Sequence, residues 1–196
     1  MNADENLNYP LINIQQEEFF TAPEWVGLGT YLISDTHFYH AKIAEYCQRP
    51  DGWQEQIIQN WNRMIGAIDN VFHLGDFSFG RTEQVQSVLA QLSGKKRLLL
   101  GNHDNRRSAG AWGRLGFEQV FREKYLCFQV GAVKVIFSHY PCLFDLQEGV
   151  LNIHGHIHNT PCELVNDPYH FNICVEVNDY QPVTLGEIIR RCFGGQ

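Results

Sequence analysis

Five short polar clusters carry the residue types that bind metals and move protons. They are Asp35-Thr36-His37, Gly75-Asp76, Gly101-Asn102-His103-Asp104, His139 and Gly155-His156-Ile157-His158. Each follows an apolar run: TYLIS, NVFHL, RLLL, VIF and VLNI. One such cluster alone reads as turn chemistry, because Asp and Asn hydrogen-bond their own backbone. Five of them at strand ends form a pattern that turns do not produce, and in open α/β sheets sites gather beyond the carboxyl ends of the strands. The donors are Asp, His and Asn, with no Cys. Mixed nitrogen and oxygen ligands suit Mn, Fe, Zn or Ni rather than Ca or a thiolate zinc site. There are too many donors for one ion. Two ions about 3.5–4 Å apart that share a carboxylate would use them, and such a pair clamps a phosphoryl group and acidifies a water. The glycines before Asp76, Asn102 and His156 suit sharp turns and close backbone approach.

The elements that must hold these clusters read as an α/β domain. TYLIS (30–34), NVFHL (70–74) and RLLL (97–100) are strands. Between the first two, Ile57, Ile58, Trp61, Ile65 and Ile68 recur at helical spacing, with Asp51 and Gln54 as a capping box. Between the second and third, Val85, Val88, Leu89 and Leu92 mark another helix, stopped at Ser93-Gly94. From residue 117 the text turns to strands: EQVFREKYLCFQVGAVKVIFSHY with a turn at Gly131, then GVLNIHGHIHN, then YHFNICVEV. Thr184-x-x-Glu187 opens a last helix as a capping box, with Arg190 and Arg191 at its C-terminal end. Residues 1–29 read as an N-terminal arm or extra strand, and 30–196 as a single domain.

Composition narrows the class. A chain of 196 residues with 44% hydrophobic and 19% charged content is an ordinary globule with room for a sizeable core. A net charge of −7 argues against an extended nucleic-acid surface, which needs clustered Lys and Arg. No apolar run is long enough to span a membrane. The start, MNADENLNYP, has no apolar segment of a secretory signal. Six scattered cysteines without a C-x-x-C pair read as free thiols in a reducing cytoplasm.

The ordered set D-x-H, G-D, G-N-H-D, a lone H and G-H-x-H resembles the calcineurin-like metallophosphoesterases. ISDTHFYH, FHLGDFSFG and VNDYQPVTLGEI further resemble small, cap-less bacterial and phage members, so the likeness runs over about 30–190. The resemblance implies two mixed β-sheets packed as a sandwich flanked by helices, with metals at one edge. It implies a first metal on Asp35, His37 and His158, and a second on Asn102, His139 and His156. Asp76 would bridge them with its two oxygens. His103 would protonate the leaving oxygen, and Asp104 would orient His103. The implied cofactors are two divalent ions, Mn foremost, with Fe, Zn or Ni as alternatives. The implied reaction is in-line attack of a metal-bound hydroxide on a phosphodiester, with phosphomonoesters also in reach. The substrate would be a small phosphoester or a nucleotide, and a short chain with no cap domain favours the diester. A catalytically silent binding module on the same fold, or a phosphomonoesterase, are the alternatives. A metallo-β-lactamase or amidohydrolase pattern fits poorly, since both place H-x-H earlier in the chain.

Further candidates flank these clusters. His40, Arg81, Arg106 and Tyr140 are placed as substrate-binding residues, with Arg107 and Asn159 as weaker ones. His73 and His154 sit just before ligand loops, as second-layer or packed residues. The run Lys95-Lys96-Arg97 opens the strand whose far end holds Asn102, so it reads as a solvated turn rather than a phosphate patch.

Overall fold

The computed structural model describes residues 11–14, 18–143, 149–160 and 167–194. In chain order its elements begin with strands β1 (Ile12–Asn13), β2 (Phe20–Thr21) and β3 (Tyr31–Ile33), then helices α1 (Ala41–Tyr46) and α2 (Trp53–Met64). Next come β4 (Asn70–His73), α3 (Thr82–Gln91), β5 (Lys95–Leu99), α4 (Ala109–Leu115) and β6 (Gln119–Phe121). The second half adds β7 (Tyr125–Val130), β8 (Val133–Ser138), β9 (Cys142–Leu143), β10 (Val150–His154), β11 (His170–Asn172), β12 (Val183–Thr184) and α5 (Leu185–Phe193).

Two five-stranded mixed sheets form the body, in the orders β12-β3-β4-β5-β6 and β11-β10-β8-β7-β2. In the first, β3, β4, β5 and β6 run parallel and β12 antiparallel. In the second, β10 is parallel to β8 and β11, while β7 and β8 form an antiparallel hairpin. Side chains alternate across the first sheet, as the period of two requires. Leu32, Phe72 and Leu99 face the second sheet and pack with Val135, Phe137, Leu151 and Ile153. Ile33, Val71 and Leu98 face outward and are covered by Ile57, Trp61, Val85, Val88, Leu89 and Trp112 from the helices. The outer face of the second sheet is closed by the N-terminal segment, where Ile12, Ile14 and Phe19 meet Cys127, Ile136 and Val150. β1 pairs with β9, and β2 adds an edge strand beside β7.

Several local expectations change. The capping box at Asp51 is absent: Gly52 caps α2 in the left-handed region, and Gln54 Oε1 instead accepts the Tyr39 N–H at 2.8 Å. Ile68 lies past the end of α2 and is 81% exposed, so it is not part of the apolar stripe. YHFNICVEV is a strand only over 170–172, because Val175–Val177 winds into a 3-10 turn that swings Glu176 toward the ligand loops. Helices α1 and α4 are too short to show a full apolar period. At α5, Thr184 Oγ1 accepts the Glu187 N–H at 3.2 Å, but the Glu187 carboxylate pairs with Arg191 rather than closing the box. Five cysteines are free thiols, and Cys162 lies outside the described residues. No helix among the described residues is long and apolar enough to cross a membrane.

Candidate metal centre

The apolar strands deliver the five clusters to one edge of the sandwich. β3, β4 and β5 bring Asp35 to His37, Gly75-Asp76 and Gly101 to Asp104, while β8 and β10 bring His139 and Gly155 to His158. Backbone hydrogen bonds lace these loops together. Asp35 N–H donates to Gly75 O, His37 N–H to Asp76 O and Gly155 N–H to His139 O, each at 3.0 Å.

The predicted ligands converge in two groups. Asp35, His37 and His158 present donor atoms within 4.8 Å of one another, and so do Asp76, His139 and His156. Asn102 joins the second, its Oδ1 lying 2.9 Å from His139 Nε2. Asp76 Oδ2 lies between the groups, 3.5 Å from His37 Nε2 and 3.5 Å from His139 Nε2. Its other oxygen, Oδ1, accepts the His103 N–H at 2.9 Å. Oδ2 is thus the oxygen of Asp76 that faces both groups, while Oδ1 also holds the Asn102–His103 loop.

The donor atoms fit cations. One oxygen of the buried Asp35, Oδ2, accepts from Ser34 Oγ at 2.6 Å, His156 N–H at 2.9 Å and Cys174 Sγ at 3.2 Å. The other, Oδ1, has no hydrogen-bond partner, and neither does the buried His37 Nε2 3.6 Å from it. A buried polar atom without a partner is costly, and a cation between these two would satisfy both. Burial opposes the charge on Asp35, but His37, His139 and His158 hold its pKa well below the usual value. Burial likewise works against protonating His139. Asp76, by charge and hydrogen bond, outweighs it and holds His139 at about 9. The protonated ring donates from Nδ1 to Leu74 O at 2.8 Å and from Nε2 to Asn102, so a cation binding there displaces the Nε2 proton.

The backbone is strained where these groups sit. Nine described non-glycine residues have positive φ, and Asp35, His37, Asp76, His156 and His158 are five of them. Such conformations cost about 1–2 kcal/mol each and persist only where the surroundings enforce them. The glycines permit the close approach. A Cβ on Gly101 would fall on the Asp76 carboxylate, and one on Gly155 on Ser34 Oγ and Asp35 Oδ2.

A second layer that the sequence did not reveal fixes the ligands. Glu176 Oε1 accepts from His158 Nδ1 at 2.9 Å, turning Nε2 toward Asp35. The buried Arg49 pairs with Glu176 and donates to Asp35 O at 2.7 Å and Thr36 O at 2.9 Å. Burial raises the Glu176 pKa, but His158 and Arg49 outweigh it and hold the carboxyl down. Neither residue lies in a readable motif: Glu176 sits in NICVEVND and Arg49 in YCQRP. His73 is a structural link. Its Nδ1 accepts the Gly75 N–H at 3.2 Å, so Nε2 carries the proton and donates to Thr36 Oγ1 at 3.0 Å. Thr36 Oγ1 passes the chain on to Phe77 O at 2.8 Å. Full burial depresses the His73 pKa to about 3 and keeps the ring neutral. His154 is also buried, with Nδ1 3.0 Å from Gly155 O.

Asp104 departs from its expected task. Oδ2 accepts the N–H groups of Asp76 and Gly101, at 2.6 and 2.9 Å, and Oδ1 that of Phe77, at 3.0 Å. Both oxygens are engaged by backbone, so the carboxylate anchors two ligand loops and does not orient the His103 ring. Burial and the neighbouring Asp76 push its pKa up to about 7, against the pull of the backbone donors. His103 itself is 40% exposed, with Nε2 4.0 Å from Asp76 Oδ2. Desolvation lowers its pKa and Asp76 opposes that.

The remaining candidates separate. His40 stacks on Phe79 at 3.8 Å beside His37, and also caps α1. Burial lowers its pKa to about 4, helped by His37, His103 and nearby arginines. Arg106 lies over Phe79 at 4.4 Å. Tyr140 packs on His156 at 4.3 Å. Arg81 is exposed at the N-cap of α3, where its N–H donates to Gln84 Oε1 at 2.8 Å. Arg107 and Asn159 hold loops together through Gly80 O and Cys47 O, at 2.6 and 3.0 Å. In the Lys95–Arg97 run, Lys96 Nζ donates to Leu92 O at 2.6 Å and Arg97 pairs with Glu118 at 3.1 Å, so both are structural.

A family model described as calcineurin-like phosphoesterase matches residues 30–188. An uncharacterized protein of Methanocaldococcus jannaschii is 32% identical over 175 residues, covering 82% of this chain and 89% of its own. The Gene 66 protein of Mycobacterium phage L5 is 30% identical over 162 residues, 67% of this chain and 78% of its own. A crystal structure of a protein of unknown function from Aquifex aeolicus superposes with a TM-score of 0.68 at 27% identity, over 83% of this chain and 98% of that one.

Proposed function

The chain belongs to the calcineurin-like phosphoesterase family, and we propose that within it this protein is a two-metal hydrolase of small phosphodiesters, nucleotides included. The observation that carries the reading is the position of Asp76 Oδ2. It stands 3.5 Å from a histidine nitrogen of each ligand group, with His103 Nε2 4.0 Å away. One shared carboxylate oxygen and one proton donor thus meet at a single point.

Asp35, His37 and His158 would hold one divalent ion, Asn102, His139 and His156 the other, and Asp76 both. The mixed N/O set favours Mn, with Fe, Zn or Ni able to replace it. Two such ions supply charge neutralisation for the transferring phosphoryl group and lower the pKa of a water. The chain's own part is positional. Glu176 and Leu74 O fix the faces that His158 and His139 present. Asp104 sets the spacing between the Asp76 and Asn102 loops. His103, half exposed above Asp76, gives its proton to the leaving oxygen. Phe79 with His40 would flank the substrate near His37, and Tyr140 with His156 near His139. All four are partly exposed, so each could meet an arm of a diester. The free thiols suit a reducing cytoplasm.

The test is turnover of bis(p-nitrophenyl) phosphate and p-nitrophenyl phosphate by Mn-loaded protein beside a chelated control. Metal-dependent hydrolysis with the higher kcat/KM on the diester is expected. No turnover of either ester, with two equivalents of metal bound, would sink the enzyme reading in favour of a binding module. A faster monoester would overturn the diester preference.

A further inference from the structure

Phe79 contacts both His103 and Arg106, an arginine with no side-chain hydrogen bond or ion pair among the described residues. Its ring centroid is 4.8 Å from that of His103 and 5.6 Å from that of His37. The Arg106 guanidinium lies over the same ring at 4.4 Å and is exposed. Among the described residues the Arg106 guanidinium donates to no hydrogen-bond acceptor and pairs with no carboxylate, and its contact is the Phe79 ring. Two other arginines of the site are committed. Arg107 donates to Gly80 O at 2.6 Å, and Arg49 is buried against Glu176. A guanidinium held over a ring and unpaired elsewhere can offer its N–H groups to a carboxylate or phosphate with two parallel bonds. The aromatic ring also orders a long side chain before any ligand arrives.

The position gives the subsite a direction. A leaving group departs past the group that protonates it, so it must lie on the His103 side of the phosphorus. Phe79 and Arg106 are on that side, whereas Tyr140 belongs with His139 and His156. We infer that Phe79 and Arg106 form a subsite for an oxyanion carried by the leaving portion of the substrate, so that the protein favours phosphodiesters whose leaving group bears its own carboxylate or phosphate. The inference rests on the phosphoesterase reading of the centre. Arg106 is the specificity-determining group, and Phe79 is a positioning residue that acts through it.

Three Mn-supported substrates test this: a methyl aryl phosphodiester with 4-hydroxybenzoate as leaving group, its carboxylate methyl ester, and a diester with the carboxylate on the retained arm. The kcat/KM ratio of the acid to its ester is compared between wild type and variants, which cancels intrinsic leaving-group reactivity. In Arg106→Gln the ratio should fall about tenfold or more, the worth of a lost charge-assisted pair. Phe79→Leu should lower it in the same direction, while Phe79→Tyr keeps it within about twofold of wild type, since the ring that orders Arg106 remains. An unchanged ratio in Arg106→Gln overturns the inference, as does an Arg106-dependent preference for the carboxylate on the retained arm. If none of the three is hydrolysed, the phosphoesterase reading falls and the subsite with it. Turnover with an unaltered ratio removes the subsite alone.

Discussion

The Asp104 carboxylate accepts the backbone N–H of Asp76 at 2.6 Å, through the same oxygen that accepts the Gly101 N–H. One buried side chain thereby sets the distance between the loop carrying the shared carboxylate and the loop carrying Asn102 and His103. Asp104→Asn turns an N–H group toward donors that need an acceptor. The variant should lose about 2–3 kcal/mol of stability, and bind metal more weakly. Denaturant unfolding and metal titration check both. Unaltered stability with slowed turnover would restore Asp104 as an orienter of His103.

His103 contributes only its backbone N–H to the ligand framework, donating to Asp76 Oδ1. His103→Ala retains that N–H. Metal content should stay near wild type, while hydrolysis of esters with poor leaving groups slows by about 10²–10⁴-fold. Activated aryl esters, which need less protonation, should suffer less. Equal loss of metal would make the ring a ligand and remove its acid role.

Glu176 holds His158 through Oε1 and is itself held by Arg49. Glu176→Gln removes the charge that holds both. Affinity for the first metal should fall about 10–100-fold, as for other carboxylates behind ligating histidines. Titration with Mn, followed by paramagnetic resonance or calorimetry, reads the change. Unaltered affinity would reduce Glu176 to a packing residue.

Two glycine substitutions should have opposite signs. Gly101→Ala drives a Cβ into the Asp76 carboxylate and should abolish stoichiometric metal binding. Gly113→Ala, within α4, meets nothing within 4 Å. It should stabilise by about 0.5–1 kcal/mol, because alanine lowers the entropy of the unfolded chain. Thermal melts and metal analysis of the pair separate a local steric demand from general intolerance of the fold.

His73 sets a pH dependence. Burial lowers its pKa from 6.5 to about 3. Between these values the unfolded chain binds a proton at His73 that the folded chain refuses, so stability falls as pH falls from 6.5 toward 3. Full mismatch contributes a slope of about 1.4 kcal/mol per pH unit. Urea unfolding of chelated protein at pH 7, 6 and 5 should show a shallower acid loss in His73→Gln than in wild type. Parallel curves would mean that another group carries the dependence.

The candidate ligands could be picked out because each follows directly from a strand. An apolar run that stops at Asp, His or Asn is a local pattern, and a parallel sheet brings such ends to one edge by geometry alone. The helical stripe of Ile57, Trp61 and Ile65 was legible for the same reason, since hydrophobic period needs only near neighbours. Ile68 and the Asp51 box failed because helix ends depend on what the flanking loop binds: Gln54 turned to Tyr39, and Gly52 took the cap.

What only the tertiary structure decided is which groups meet across sheets. His158 faces Asp35, 123 residues away in the chain by their numbers, because β10 and β3 end at the same edge of two packed sheets. The place of Asp76 Oδ2 between His37 and His139, the use of Asp104 on backbone, and the Glu176–Arg49 support all arise from contacts between distant segments. Residue type and strand position determined the chemistry available. Register and sheet packing, which no local spacing encodes, decided how that chemistry is assembled.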